Sequence, residues 1–324
     1  MPTLKDISKL TNVSISTVSR ILNHDASLVV TEETRHNVIK VAKELSYKPS
    51  KKSIHNEHYT IAMLHWYTRE QELEDTYYLS IRLGVEKACH DLGIKVVKIF
   101  YDDPKPENTY CHGAIAIGKF DHKEITAFKL LYKHVVFIDS SPDDNQFDSV
   151  VIDFESAYLT SIKHLQNLGL IDIGYIGGRE YTHSLKLPIG EKRETFFKNY
   201  FKSQKKIYIG EFTIESGYNL MKQAIQENNL AQAYLVASDA MALGVLRALY
   251  EANIHVPNDV SIIGFNDIPQ SAYTIPPLTT VKVYKEHMGY KALNLLLERI
   301  KGRTIAEKVV VQTELIIRKS TKEL

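Results

Sequence analysis

The sequence predicts an α/β protein: an all-α helix-turn-helix headpiece at the N-terminus, followed by a two-lobed body built on parallel sheets. Three observations carry this. Leu4 to Asn23 reads as two short helices broken by a tight turn. Beyond Tyr59, short apolar strands alternate with longer amphipathic segments, the rhythm of parallel sheets covered by helices. At 324 residues the chain is too long for one domain of ordinary size, about 100 to 200 residues.

In the headpiece, Leu4, Ile7, Leu10, Val13, Val18, Ile21 and Leu22 recur at helical spacing, and Thr11-Asn12 separates the two runs. Ser14 supplies a capping hydroxyl for the second helix, whose first outward residues are Ile15, Ser16 and Ser19, with Arg20 one turn on. Docked in a major groove, such a helix presents those side chains to base edges. Thr31 caps a third segment, in which Val38, Val41, Ala42 and Leu45 form the stripe that closes a three-helix core. The bland alternative is a helical hairpin that never meets nucleic acid. Charge favours the reader: through Lys52 there are nine Lys/Arg against five Asp/Glu, while the whole chain carries only +1.

From Tyr47 to Tyr59 the stretch KPSKKSIHNEH reads as a linker, with proline and no sustained period. The expected strands are TIAML (60 to 64), KVVKIF (95 to 100), GAIAI (113 to 117), HVVFI (134 to 138), DIGYI (172 to 176), AYLVA (233 to 237) and VSIIG (260 to 264). Helices are expected from Glu155 to Leu168 and from Asp239 to Glu251. The domain boundaries are therefore 1–48 for the headpiece, 49–58 for the linker and 59–324 for the body. One lobe spans about 59–154 and 282–304, the other about 155–281 and 305–324.

Parallel sheets bind ligands beyond the carboxyl ends of their strands. There the chain places Trp66, Tyr67, Tyr77, Tyr78, Asp139, Ser238, Asp239, Asn266 and Asp267, a set of amides, carboxylates, hydroxyls and flat rings that suits a sugar. Each also has a structural reading. Asp239 opens a helix and reads as its cap before a ligand contact, Asp267 reads equally as a turn residue, and Trp66, Tyr77 and Tyr78 read equally as core. Asp139 with Asp143 and Asp144 also reads as a solvated acidic loop.

Catalysis finds no footing. Gly174, Gly177 and Gly178 do not make a GxGxxG fingerprint, and no GxSxG, GxxxxGK[ST] or HExxH occurs. Cys89 and Cys111, each followed by histidine (His90, His112), show no four-ligand spacing, so neither metal nor cofactor is expected. With no membrane-length apolar run and no secretory signal, the expectation is a cytoplasmic protein.

The run TLKDISKLTNVSISTVSRILN, followed by VTEETRHNVIKVAKELSYKP, closely resembles the headpiece of the lactose/galactose repressor family. VASDAMALGVLRALYE (236 to 251) and VSIIGFNDIPQSAYTIPPLTTV (260 to 281) resemble that family's effector-binding body, whose two lobes are related to periplasmic sugar-binding proteins. The words DTYYLSIRLGVE, SDAMALGVLRAL and FNDIP look most like repressors of galactose and β-galactoside operons.

The resemblance implies a homodimeric repressor on a pseudo-palindromic double-stranded DNA operator, released by a sugar, with galactose or a β-galactoside favoured. Its base readers are Ile15, Ser16 and Arg20, and its phosphate contacts Ser14, Thr17, Ser19 and Asn23. Effector contacts fall on Arg193, Asp139, Ser238 and Asn266, with Trp66 or Tyr77 stacking on the ring. The chain departs from the family pattern in several places. Phe196 replaces the usual glycine three residues after Arg193, Ser238 stands for a common asparagine, and Asn266 for a common aspartate. The linker is about three residues short by that pattern and lacks leucine, leaving Ile54 as the residue to wedge into the minor groove. A purine-responsive regulator of the same family and a sugar-binding module with no DNA role remain as alternatives.

Overall fold

A computed structural model describes residues 2–22, 28, 30–45, 47, 59–74, 76–103, 110–203 and 205–323, the side chains of 73 and 74 excepted. Asn23 and Ile54, expected to meet phosphate and the minor groove, lie outside the described residues. The chain divides into two compact units, Met1–Glu57 and His58–Leu324.

The first unit holds three helices, α1 (Leu4–Thr11), α2 (Ile15–Leu22) and α3 (Glu32–Glu44). Thr3 and Asp6 form a reciprocal capping box at the start of α1, and Asn12 ends it in the left-handed conformation at φ 55°. The Ser14 hydroxyl accepts the Thr17 amide at 3.1 Å, as the sequence led one to expect of a cap. Ile7, Val18, Ile21, Val38 and Ala42 form the core, with Leu4, Val13, Val41 and Leu45 packed against it. Leu10, expected inside, is 63% exposed, because Ile7 alone of α1 reaches the centre of so small a core.

In the second unit the chain runs β1 (Thr60–His65), α4 (Arg69–Glu74), α5 (Thr76–Asp91), β2 (Lys95–Ile99), β3 (Gly113–Ile117), α6 (His122–Leu131), β4 (Val135–Ile138) and β5 (Asp148–Ile152). It then crosses into the other lobe through α7 (Phe154–Asn167), β6 (Ile173–Gly178), a hairpin of β7 (Glu180–Tyr181) and β8 (Pro188–Ile189), α8 (Lys192–Tyr200), β9 (Ile207–Gly210) and α9 (Ile214–Gln226). That lobe continues with β10 (Ala233–Val236), α10 (Asp239–Glu251), β11 (Ser261–Asn266), a 3-10 turn (Pro269–Ala272) and β12 (Thr279–Lys282). Helix α11 (Lys285–Ile300) and β13 (Lys308–Val311) return to the first lobe, and β14 (Glu314–Ile316) ends in the second.

The first sheet is parallel throughout, in the order β13-β5-β4-β3-β1-β2. The second has the order β14-β12-β11-β10-β6-β9, parallel except for β14. Its central strands are buried on both faces, as helix-covered parallel strands must be. The boundary expected between the lobes is corrected at one point. Lys308–Val311 pairs with Ser149–Ile152 and so belongs to the first lobe, not to the second as 305–324 implied. A short apolar strand carries no mark of which sheet will take it.

Helices α5 and α11 cover the first sheet and cross almost backbone to backbone. A Cβ on Gly84 would stand 2.6 Å from Glu286, and one on Gly289 2.6 Å from the Val85 nitrogen, so only glycine fits there. The far end of α11 is anchored electrostatically. Asp148, fully buried, accepts Arg299 Nε at 2.8 Å, Arg303 Nη2 at 2.9 Å and the Glu307 amide at 2.6 Å. Burial raises the pKa of this carboxyl, and the two guanidinium groups and the amide outweigh burial, holding it below the ordinary aspartate value.

Asp148→Ala leaves two guanidinium groups facing each other, each with some access to water. It should cost about 3 kcal/mol in urea unfolding, at the low end for a broken buried pair. A loss below about 1 kcal/mol, the worth of a surface pair, would show that the network does not anchor α11.

Candidate ligand cleft and nucleic-acid face

The carboxyl ends of the strands in the two lobes face one narrow cleft. The first lobe contributes Tyr67, Tyr77, Tyr78, Lys119 and Asp139; the second contributes Phe154, Glu180, Arg193, Phe212, Ser238 and Asn266. Five of the six expected effector residues therefore meet in one place: Tyr77, Asp139, Arg193, Ser238 and Asn266. Trp66 does not. It is 2% exposed and lies behind the wall, its ring 5.0 Å from that of Tyr67 and 5.8 Å from that of Tyr78. It is the next residue along, Tyr67, that reaches the cleft.

Arg193 sits in the first turn of α8 and is almost wholly buried. Its Nε and Nη2 donate to the two oxygens of Glu191, at 2.6 and 2.8 Å, and Nη1 donates to the Ala237 carbonyl at 2.5 Å. The rings of Phe154, Phe212 and Phe265 stand 5.1 to 5.3 Å from its guanidinium carbon. A guanidinium has five N–H groups, so these bonds leave one on each of Nη1 and Nη2 for a ligand. Burial alone would raise the Glu191 pKa; the adjacent guanidinium overrides it and holds the carboxyl at about 2. Burial likewise opposes the Arg193 charge, and Glu191 more than restores it. The sequence reading missed Glu191, although it caps the helix that carries the arginine.

Asp139 follows β4 with φ at 68°, Asn266 ends β11 at 107° and Asp267 follows it at 50°. Non-glycine residues held in that region cost energy and cluster where a side chain must be aimed. The Asp139 carboxylate accepts the Tyr77 hydroxyl at 3.1 Å and the Tyr78 hydroxyl at 2.8 Å, so it is an organised acceptor and not part of a solvated loop. Burial and the neighbouring Asp139 charge both push the Tyr78 hydroxyl well above its usual pKa, which keeps it a donor.

Ser238, just beyond β10, is the N-cap of α10, its hydroxyl accepting the Met241 amide at 3.2 Å. The expectation that Asp239 caps this helix is thereby corrected. Asp239 is the first helical residue, and its carboxylate accepts the Ile268 amide and the hydroxyls of Ser271 and Thr280, fixing the segment after β11. Asp267 likewise has a definite partner, Arg318, at 2.7 Å.

Sequence reading also missed Lys119 and Glu180, which come from different lobes. Lys119 Nζ donates to Glu180 at 2.9 Å, and the Tyr67 hydroxyl donates to its other oxygen at 3.1 Å. Burial disfavours the Lys119 ammonium, and the Glu180 and Asp139 carboxylates outweigh that, so its pKa stands above the lysine norm. The β7-β8 hairpin that begins with Glu180 continues across the first lobe. The Leu185 amide donates to Asp121 at 2.9 Å, and the His183 ring stacks on Tyr101 at 4.1 Å.

On the headpiece, Ile15 is 46% exposed, Ser14, Ser16 and Arg20 are exposed, and Thr17 and Ser19 half-exposed, while Val18 and Ile21 turn inward. The polar and basic side of α2 is therefore presented outward, as base reading requires. Among the described residues no helix is long and apolar enough to cross a membrane, and no group of three or more His, Cys, Asp or Glu is placed to hold a metal.

Known proteins match both parts. The family model "Bacterial regulatory proteins, lacI family" matches residues 3–50, and that of a periplasmic binding protein-like domain matches residues 162–321. The HTH-type transcriptional repressor MelR of Bacillus subtilis is 40% identical over 335 residues, covering 99% of this chain and 97% of its own. The HTH-type transcriptional regulator GalR of Lacticaseibacillus casei is 39% identical over 330 residues, covering 99% and 100%. Among solved structures, that of the Lac repressor bound to ONPG superposes with a TM-score of 0.69 at 24% identity over 99% of both chains, a likeness of fold.

The depressed pKa of Glu191 yields a pH prediction. A lowered folded value stabilises above the unfolded value of 4.5, and the contribution is lost as pH falls toward about 2. The stability gap between wild type and Glu191→Gln should therefore be constant above 4.5 and shrink on acidification, as read by denaturant titration across pH. A gap that widens in acid would reverse the assigned sign.

Proposed function

Because this chain belongs to the lacI family of bacterial regulatory proteins, and is thus a DNA-binding transcription regulator, we propose that a sugar bound in the cleft releases it from an operator. The observation that carries this is the convergence on one cleft of a buried arginine with two uncommitted N–H groups, an organised aspartate, an asparagine and aromatic rings. Neutral polyols are recognised by such sets: charged groups bond paired hydroxyls, and a ring covers the C–H face. Galactose or a β-galactoside is the effector we favour, in keeping with the GalR name of a close relative. In this reading Arg193 anchors the sugar and Asp139 and Asn266 bond its hydroxyls. Ser238, committed to a helix cap through one lone pair, keeps its O–H to donate. Tyr67 and Tyr77 supply the aromatic wall in place of Trp66.

The headpiece acts as a pair in a homodimer, each copy reading one half of a pseudo-palindromic operator. Ile15, Ser16 and Arg20 read bases; Ser14, Thr17, Ser19 and Asn23 hold phosphates; Ile54 wedges the minor groove. The headpiece spans 1–48, the linker 49–58 and the body 59–324. Closure of the lobes on sugar changes the spacing of the two headpieces. The sugar weakens operator binding only by its differential affinity for the two arrangements.

Two measurements test this. Arg20→Ala should cost about 1 to 3 kcal/mol of operator affinity for a bidentate guanine contact, read by fluorescence anisotropy; unchanged affinity removes Arg20 from the readers. Arg193→Ala should bind operator as wild type does but stay bound when galactose is added. Normal release by that variant would place the effector site elsewhere.

A further inference from the structure

Two lobes joined on one side are free to part on the other. The chain crosses between them beside β5, β12 and β13, at one edge of each sheet, and this is the hinge side. On the far side the β7-β8 hairpin follows β6 of the second lobe and lies on the first, against residues that come after β1, β2 and β3. Its ladder is minimal, with Glu180 opposite Ile189, Tyr181 opposite Pro188 and the Thr182 amide on the Leu187 carbonyl. So short a hairpin is not stable alone and depends on the surface beneath it.

That surface is specific. Asp121 uses one carboxylate oxygen to cap α6, accepting the Lys123 and Glu124 amides at 3.0 and 3.1 Å, and its other oxygen accepts the Leu185 amide at 2.9 Å. The His183 ring meets Tyr101 face to face at 4.1 Å and Trp66 edge-on at 5.6 Å, between ring centroids. At the base of the hairpin, Glu180 takes Lys119 and the Tyr67 hydroxyl on its two oxygens. Each of these contacts joins one lobe to the other. Tyr101 and Leu185 are exposed, so the outer part of the set can let go without unfolding either lobe.

Behind the hairpin the lobes leave about 30 Å³ between them. A small-molecule site takes roughly 300 Å³ or more, so nothing the size of a sugar enters until the far side opens.

We propose that the β7-β8 hairpin is a strap that fastens the lobes with no ligand between them, so that its release sets the rate at which the cleft fills and empties. It rests on the sugar reading above only for the identity of the ligand.

Tyr101→Ala removes the ring on which His183 stacks and touches none of the groups that face the cleft. In the sugar-free full chain, hydrogen exchange of the Leu185 amide should quicken about two- to tenfold, the worth of one aromatic pair, while the amides of β6 keep their wild-type rates. In stopped-flow binding of galactose, association and dissociation should both quicken by that factor while Kd stays within about twofold, because a strap fastened with and without sugar slows both steps alike. His183→Ala, which deletes the same pair from the other lobe, should reproduce both results. Unchanged Leu185 exchange in both variants would show that the hairpin fastens nothing and overturn the strap. Unchanged galactose rates, or a Kd that shifts with only one of them, would overturn it too: sugar would then enter by another route, or the hairpin would be part of the binding site. If galactose does not bind wild type, the sugar reading fails, and the exchange result still decides whether the hairpin fastens the lobes.

Discussion

The body is governed by one constraint: its chain crosses between lobes three times, after β5, after β12 and after β13, and all three crossings lie beside neighbouring edge strands. Three adjacent tethers forbid one lobe from sliding past the other and leave a pivot as the soft motion. Every strand end facing the cleft then moves with a single angle. In the function proposed above, a sugar bonded to Asp139 of one lobe and to Arg193 and Asn266 of the other sets that angle.

The cleft is held ready for such a ligand at some cost in stability. A guanidinium lodged among three phenylalanine rings needs a carboxylate beside it, and Glu191, two residues earlier and capping the same helix, meets the need without a long-range contact. Asp139, Asn266 and Asp267 adopt left-handed backbone conformations where the strands end. Fixing donors and acceptors in advance lowers the ordering cost of binding, which favours affinity over stability at this one place.

Much of this was legible from residues alone. Strand 113–117 and helix 239–251 were read to the residue, because a pure apolar run and a long periodic segment are the clearest local signals. Strands 148–152 and 207–210 were missed: the first opens on the buried Asp148, whose polarity is answered by arginines some 150 positions away, and the second is a four-residue run ending in glycine. The placement of 308–311 failed for a related reason, since pairing partners are not written in the strand itself. At the site, the positions taken from family resemblance converged, whereas Trp66 turned away. Lys119 with Glu180 was invisible, 61 residues apart in sequence and joined only when the lobes meet.

In the proposed function, sugar in the cleft and operator at the headpiece compete through one conformational equilibrium. Its most direct test is the affinity of galactose for the free protein against its affinity for the protein saturated with operator, both by calorimetry. Coupling requires weaker binding to the operator complex, by about five- to 150-fold for ordinary allosteric linkage. Identical affinities would mean that cleft and headpiece do not communicate and that sugar does not release the operator through the lobes.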